Sequence, residues 1–195
     1  MHTYSIDTDE RSRVIFGLVT ISILMFWYCN HLITVYDVPS IINVPTPFVI
    51  FGVLYLIFDN FLWKFKIFSL VVKTPNLIGV WDGQYISSYK GVVIPAKLKI
   101  KQTWTKIEII SENGETQSNS SMAGIFTKCG GEISLKFEYN NNSNICMEDN
   151  RPSHSGFSHL IFDKAEKKFR GSYYNDKNRQ TFGSASFTYI SKTKD

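Results

Sequence analysis

Acid–base, nucleophilic and metal chemistry each need particular side chains brought together, and this sequence offers few such sets. It has no phosphate-cradling loop ending in Gly-Lys-Ser/Thr, no Gly-x-Ser-x-Gly elbow and no His-Glu-x-x-His. His154 and His159 are five residues apart. That spacing does not turn two imidazoles to one side of a helix, and no cysteine pair stands beside them. The carboxylates are scattered and nothing pairs two of them. The expectation is therefore a protein that is not an enzyme and holds no metal or cofactor.

The residues with binding potential are aromatic, hydroxyl and amide side chains in period-two runs. Gly79-Val80-Trp81-Asp82-Gly83-Gln84-Tyr85-Ile86-Ser87-Ser88-Tyr89 places Trp81, Tyr85, Ser87 and Tyr89 on one face. Its glycines allow the sharp bend that a barrel strand needs. Trp81 suits the floor of a barrel, and Tyr85, Ser87 and Tyr89 lie successively nearer the opposite mouth. Trp104 ends the next strand, either as a core plug or as a stacking platform. The run Gly171 to Gly183 reads as a hairpin that sets Arg179 and Thr181 beside Tyr173 and Asn175 at one rim. Arginine grips phosphate with paired donors, and Tyr or Trp stacks on a base. Tyr85, Ser87, Tyr89, Trp104, Tyr173, Asn175, Arg179 and Thr181 are thus the candidate ligand-binding set. A solvated hairpin tip is the plainer reading of the last four.

These residues need strands to position them. Leu98, Ile100 and Gln102 alternate with Lys97, Lys99 and Lys101, and Ile133, Leu135, Phe137 and Tyr139 alternate with Ser134, Lys136 and Glu138. Turn signals separate the runs: Asn113-Gly114, Gly130-Gly131, Asn140-Asn141-Asn142 and Asn175-Asp176-Lys177-Asn178. The pattern predicts eight strands near 79–89, 96–104, 106–112, 116–127, 132–139, 156–163, 167–175 and 182–191. Short strands on short turns suggest an eight-stranded antiparallel up-and-down β-barrel, with a β-sandwich as the alternative. Asn140–Ser155 is the one long irregular connection and a candidate lid. The Lys97/Lys99/Lys101 stripe reads as a wet outer face, or as a surface for anionic lipid head groups.

The 195-residue composition divides sharply. Residues 1–76 hold 5 Lys/Arg and 5 Asp/Glu, whereas the remainder holds 16 Lys/Arg against 12 Asp/Glu, which accounts for the whole net charge of +4. That excludes one soluble globule of evenly mixed composition. Val14–Tyr36 is an uncharged run of 23 residues and Val38–Phe58 one of 21. About 20 apolar helical residues cross a bilayer core. The expected division is 1–73 as a transmembrane region, with helices at about 14–36 and 45–62, and 74–195 as the β-barrel. A tight turn falls at Asp37-Val38-Pro39, and Pro45 and Pro47 mark the start of the second helix. The first run is too long for a signal peptide's apolar segment and lacks a small-x-small cleavage site.

Arg11 and Arg13 precede the first run, and Lys64, Lys66 and Lys73 follow the second. Basic flanks stay on the cytoplasmic side, so both termini and the barrel are expected there, below a multi-pass anchor in the cell inner membrane. Asn30, His31 and Asn43 fall at span ends, either at the lipid interface or against other helices. Cys29 lies in a span, Cys129 and Cys146 in a reducing compartment, and no disulfide is expected.

Two apolar N-terminal runs, the junction Thr74-Pro75-Asn76-Leu77-Ile78-Gly79-Val80-Trp81-Asp82-Gly83, Ser87-Ser88-Tyr89 and the closing Gly171-Ser172-Tyr173-Tyr174-Asn175 together carry a likeness. The chain resembles the two-transmembrane, minimal β-barrel effectors of bacterial CBASS anti-phage systems. The resemblance implies a barrel that binds a cyclic dinucleotide made by a cognate nucleotidyltransferase. It further implies homo-oligomerisation on binding, disruption of the inner membrane's lipid bilayer and abortive infection. The candidate site rests on face and rim positions, not on the resemblance. A net +4 without a concentrated basic run argues against duplex nucleic acid as a partner. The competing reading is a membrane-anchored barrel for a lipid or other small apolar ligand. A polar, aromatic mouth separates the first from the second.

Overall fold

The computed structural model describes residues 1–37, 43–114, 116–127, 131–142, 154–176 and 180–191. The chain divides into two compact units, Thr8–Lys73 and a unit made of Met1–Asp7 with Thr74–Asp195. Residues 1–7, expected in the membrane region, therefore belong with the barrel.

In the helical unit, α1 spans Glu10–Val35, 26 residues, or about 39 Å at ~1.5 Å per residue. Phe16, Ile23, Leu24, Trp27 and Tyr28 are all exposed on it, and it is long and apolar enough to cross a membrane. Helix α2 runs Pro47–Asn60, shorter than the expected 45–62. Thr46 is its N-cap in extended geometry, with its hydroxyl accepting from Val49 N–H, so Pro45 stays outside. At its other end the chain leaves the helix at Phe61 and continues as 3₁₀ turns over Leu62–Lys64 and Lys66–Leu70. Fourteen helical residues do not reach across a bilayer core of ~30 Å. The second span thus does not appear as one long helix among the described residues. The buried Glu10 carboxylate accepts the backbone N–H of Lys73, which pins the start of α1 to the end of the unit.

The second unit is a closed barrel of nine strands, one more than expected. Strands β2 (Gly79–Ser87), β3 (Val93–Gln102), β4 (Lys106–Asn113), β5 (Thr116–Phe126), β6 (Ile133–Asn142), β7 (His154–Asp163), β8 (Lys168–Asn175) and β9 (Phe182–Ser191) form the antiparallel meander. β2 and β9 pair to join its two ends. Gly83 is required there: a Cβ at this position would lie 1.9 Å from the Ser186 carbonyl oxygen. Gly114, at φ +61°, turns β4 into β5.

The ninth strand is β1, His2–Ile6. β4 and β5 pair only between Ile110–Asn113 and Thr116–Asn119, then part. β1 fills the gap, antiparallel to β4 at His2 and Thr3 and parallel to β5 at Tyr4, Ser5 and Ile6. β5 bulges between Ser120 and Met122 where this strand enters. There the Ser120 hydroxyl accepts Ile109 N–H and bonds the His2 imidazole at 2.8 Å. At the other end of β1, Asp7 accepts both the N–H and the hydroxyl of Thr127.

Inward side chains alternate with outward ones, as the period predicts. The lower lumen is packed with Leu98, Ile100, Ile107, Leu135, Phe169 and Phe187, all under 3% exposed. Trp81 closes this floor, 4.4 Å from the Phe169 ring, with its indole N–H donating to the Leu77 carbonyl. Below it Gln102, itself buried, accepts Leu77 N–H and donates to the Pro75 carbonyl and the Tyr4 hydroxyl. Tyr4 in turn donates to the Trp104 carbonyl. Both covalent junctions of the barrel, at Asp7 and Thr74, leave from this floor end. Outside, Lys99 pairs with Glu112 at 2.6 Å and Lys101 with Glu108 at 4.0 Å, so these two cations of the lysine stripe are met by the neighbouring strand.

Gln102→Leu strands the Leu77 N–H and the Pro75 carbonyl in a buried site. It should cost the barrel about 2–4 kcal/mol. The exposed Lys97→Gln should stay within ~0.5 kcal/mol. Denaturant unfolding of the full chain in detergent, followed by β-sheet circular dichroism, compares them.

Candidate ligand-binding mouth of the barrel

Toward the end opposite the two junctions, the same inward positions change chemistry. On β2 they pass from Trp81 through Gly83 to Tyr85 and Ser87. On β4 they pass from Ile107 and Ile109 to Ser111. On β6 the order is Leu135, Phe137, Tyr139 and Asn141, and on β7 it is Leu160, Ser158, Gly156 and His154. The pleat makes this automatic, because residues two apart share a face. Each strand therefore carries a gradient from apolar to polar along its inner face.

These mouth groups bond one another. The Tyr85 hydroxyl lies 3.1 Å from Ser111 Oγ, and its ring meets Tyr173 edge-on at 5.0 Å and Phe187 at 5.2 Å. Burial pushes the Tyr85 phenol up to about 12, moderated by the Ser111 bond and reinforced by Tyr173. Tyr85 is thus a neutral hydroxyl throughout the physiological range. Asn141 Nδ2 donates to Ser118 Oγ at 3.0 Å, and Ser118 faces Ser111 across the β4–β5 ladder. The Tyr139 hydroxyl donates to Asn175 Oδ1 at 2.8 Å, and Asn175 Nδ2 donates to Thr181 Oγ1 at 2.6 Å. The last bond ties the two ends of the β8–β9 connection together at the rim.

Of the residues singled out from sequence, Tyr85, Ser87, Tyr173, Asn175 and Thr181 converge on this mouth. Tyr89 does not line it. It is 62% exposed in the β2–β3 turn, where its N–H donates to Ser87 Oγ and Lys90 Nζ lies 5.3 Å from its ring. The strand ends at Ser87, so the alternation no longer orients it. Trp104 is a correction as well: it is fully buried in the β3–β4 turn at the floor end, far from the mouth along β3. Arg179 lies outside the described residues. Sequence reading missed Ser111, Ser118, Tyr139, Asn141, His154 and Ser158. The signal for Tyr139 and Asn141 was the unbroken alternation from Ile133. The asparagine cluster read as a turn, whereas β6 continues to Asn142 and β7 begins at His154. The irregular connection is shorter than Asn140–Ser155 by those residues, and what remains of the candidate lid, 143–153, lies outside the described residues.

Comparison with known proteins bears on this barrel directly. The sequence model of a family described as "Cap15, cyclic dinucleotide receptor domain" matches residues 72–189, from just before β2 into β9. The chain belongs to the Cap15 cyclic dinucleotide receptor family. A CD-NTase-associated protein 15 of Yersinia aleksiciae is 31% identical over 166 residues, covering 84% of this chain and 79% of that protein. A CD-NTase-associated protein 15 of Staphylococcus schleiferi is 28% identical over 119 residues, covering 60% of this chain and 63% of that protein. The Cap15 match takes in β2 to β8 whole and most of β9, so every mouth residue named above falls inside it. Strand β1 falls outside.

Because Tyr85 ionises later in the folded barrel than in an unfolded chain, its stabilisation is complete below about pH 10. It is lost as pH rises toward 12. Wild type should therefore lose more stability between pH 9.5 and 11.5 than Tyr85→Phe does, a difference read from paired denaturant midpoints. Equal losses would place Tyr85 in water.

Proposed function

We propose that this chain is a CBASS effector whose barrel mouth binds a cyclic dinucleotide and carries out no chemical step itself. The observation that carries this reading is the change of lumen chemistry. Leu, Ile and Phe fill the floor, and Tyr, Ser, Asn and Thr gather at the mouth. A cyclic dinucleotide offers two flat bases and two phosphates, which call for aromatic faces and many neutral donors. A barrel for a lipid would keep its apolar lining up to the opening. The family's description as a cyclic dinucleotide receptor supports the same ligand class.

The rest of the proposal concerns the membrane. α1, together with the uncharged run after Asp37, forms a multi-pass anchor in the inner membrane, with the barrel and both termini cytoplasmic, as the basic flanks favour. Ligand held partly outside one mouth is completed by a second copy. Binding then shifts the population toward oligomers by differential affinity, and the gathered helices disrupt the bilayer. The nucleotidyltransferase that makes the messenger is the functional partner in this scheme.

Titration calorimetry of the full chain in detergent, against cyclic di-GMP, cyclic di-AMP and the mixed cyclic GMP–AMP, should show binding of at least one. The particle mass should rise with it. Arg179→Ala and Tyr173→Ala should each weaken that binding about tenfold or more, the loss of one charge-assisted or stacking contact. No heat with any of the three and an unchanged mass would overturn the reading.

A further inference from the structure

Within the barrel, one buried side-chain polar group among the described residues has no hydrogen-bond partner: Ser158 Oγ. Ser158 is 0% exposed, on the inner face of β7. The other mouth serines are satisfied, Ser111 by Tyr85, Ser118 by Asn141 and Ser87 by the N–H of Tyr89. Leaving a buried hydroxyl unbonded forfeits its hydration with nothing in exchange, so a folded barrel does not keep one without a reason elsewhere.

Its position suggests the reason. Ser158 sits in register between Phe137 and Tyr173, both buried aromatics. One rung toward the floor are Leu135, Leu160 and Gly171, and beyond them on these strands come Ile133, Phe162 and Phe169. One rung toward the mouth are Tyr139, Gly156 and Asn175. The Tyr139–Asn175 hydrogen bond crosses directly over Gly156, where a Cβ would come within 2.4 Å of the Tyr139 hydroxyl and 2.8 Å of Asn175 Oδ1. Ser158 is therefore the last polar group before the floor, and one neutral hydrogen bond lies above it.

Building on the reading of the mouth given above, we infer that Ser158 is the deep specificity contact, whose hydroxyl bonds the edge of one base of the bound cyclic dinucleotide. The chemistry selects a base and not a phosphate. A phosphate moved in among Phe137, Leu160 and Tyr173 would lose its hydration with no cation to replace it. A base is neutral, has flat faces for the Tyr173 ring, and carries donors and acceptors along its edge. Entry breaks the Tyr139–Asn175 bond, a small net loss for a neutral pair. It supplies in exchange the partner that Ser158 lacks.

The test uses Ser158→Ala in the full chain in detergent, with Ser134→Ala as control. Ser134 is also buried, but bonds His159 at 2.7 Å outside the lumen. Unfolding without ligand and calorimetric titration with the same three cyclic dinucleotides are measured for each protein. Ser158→Ala should be at least as stable as wild type without ligand, because it removes an unsatisfied group. It should also bind the preferred nucleotide about tenfold more weakly or worse. Ser134→Ala should bind as wild type does. If Ser158→Ala binds within about twofold of wild type, the inference fails while the reading of the mouth stands. Loss of stability or of folding in Ser158→Ala overturns it too, since the hydroxyl then serves the fold. Wild type binding none of the three overturns the reading of the mouth and this inference with it.

Discussion

Closure of the sheet is the constraint on which the rest of this barrel depends. Once β2 meets β9 and β1 joins β4 to β5, no strand in the described ring is left with an open edge. Closure also fixes which side chains face inward, every second one on each strand. A lumen of this size is filled by side chains or takes one small ligand, so its chemistry is decided rung by rung. The floor rungs above Gln102 are apolar and pack Trp81 against Phe162, Phe169 and Tyr189. The mouth rungs can carry hydroxyls and amides without loss of the fold, because one continuous hydrophobic core runs from the floor up to the rings of Tyr85, Tyr139 and Tyr173.

The meander by itself closes only in its mouth half. β4 and β5 diverge below Ile110 and Asn119, and the gap would expose backbone donors and acceptors if β1 did not enter it. Five residues that precede α1 in the chain thus complete a sheet whose other strands all follow α2. The strand is held at both ends, by His2 on the Ser120 bulge and by Asp7 on Thr127. Ser120 lies two residues from Ser118, which belongs to the mouth.

Strong local periodicity made most of the barrel readable. The eight strands of the meander fall within a few residues of the alternating runs, since period two and the turn residues agree along them. β1 was not readable, because His2–Ile6 is five residues of mixed polarity beside a long apolar run, and its partners are more than 100 residues away. The extents of β6 and β7 were misjudged because asparagines that favour turns are held in strands by pairing with Ser118 and Ser155. Trp104 stayed open between core plug and stacking platform, and its burial decides for the plug, because alternation gives a side chain's face and not what covers the end of a strand. Within the site, the hydroxyls of Ser111, Ser118 and Ser158 carried no signal of their own. A serine on the inner face of a strand differs from one on the outer face only once the register is known.

The polar half of the lumen has a physical consequence for recognition. Tyr85 keeps its proton to high pH, and Ser111, Ser118, Asn141, Asn175 and Thr181 add neutral hydroxyls and amides. Neutral dipoles in a partly buried site discriminate by geometry, because each must find a partner at the right distance or remain unsatisfied. Charge, by contrast, attracts any anion from a distance. Under the proposed reading, a lumen of this kind suits the selection of bases by fit. The grading of that lumen along one axis follows from the alternation of the strands and the closed sheet, apolar and sealed at one end and polar at the other.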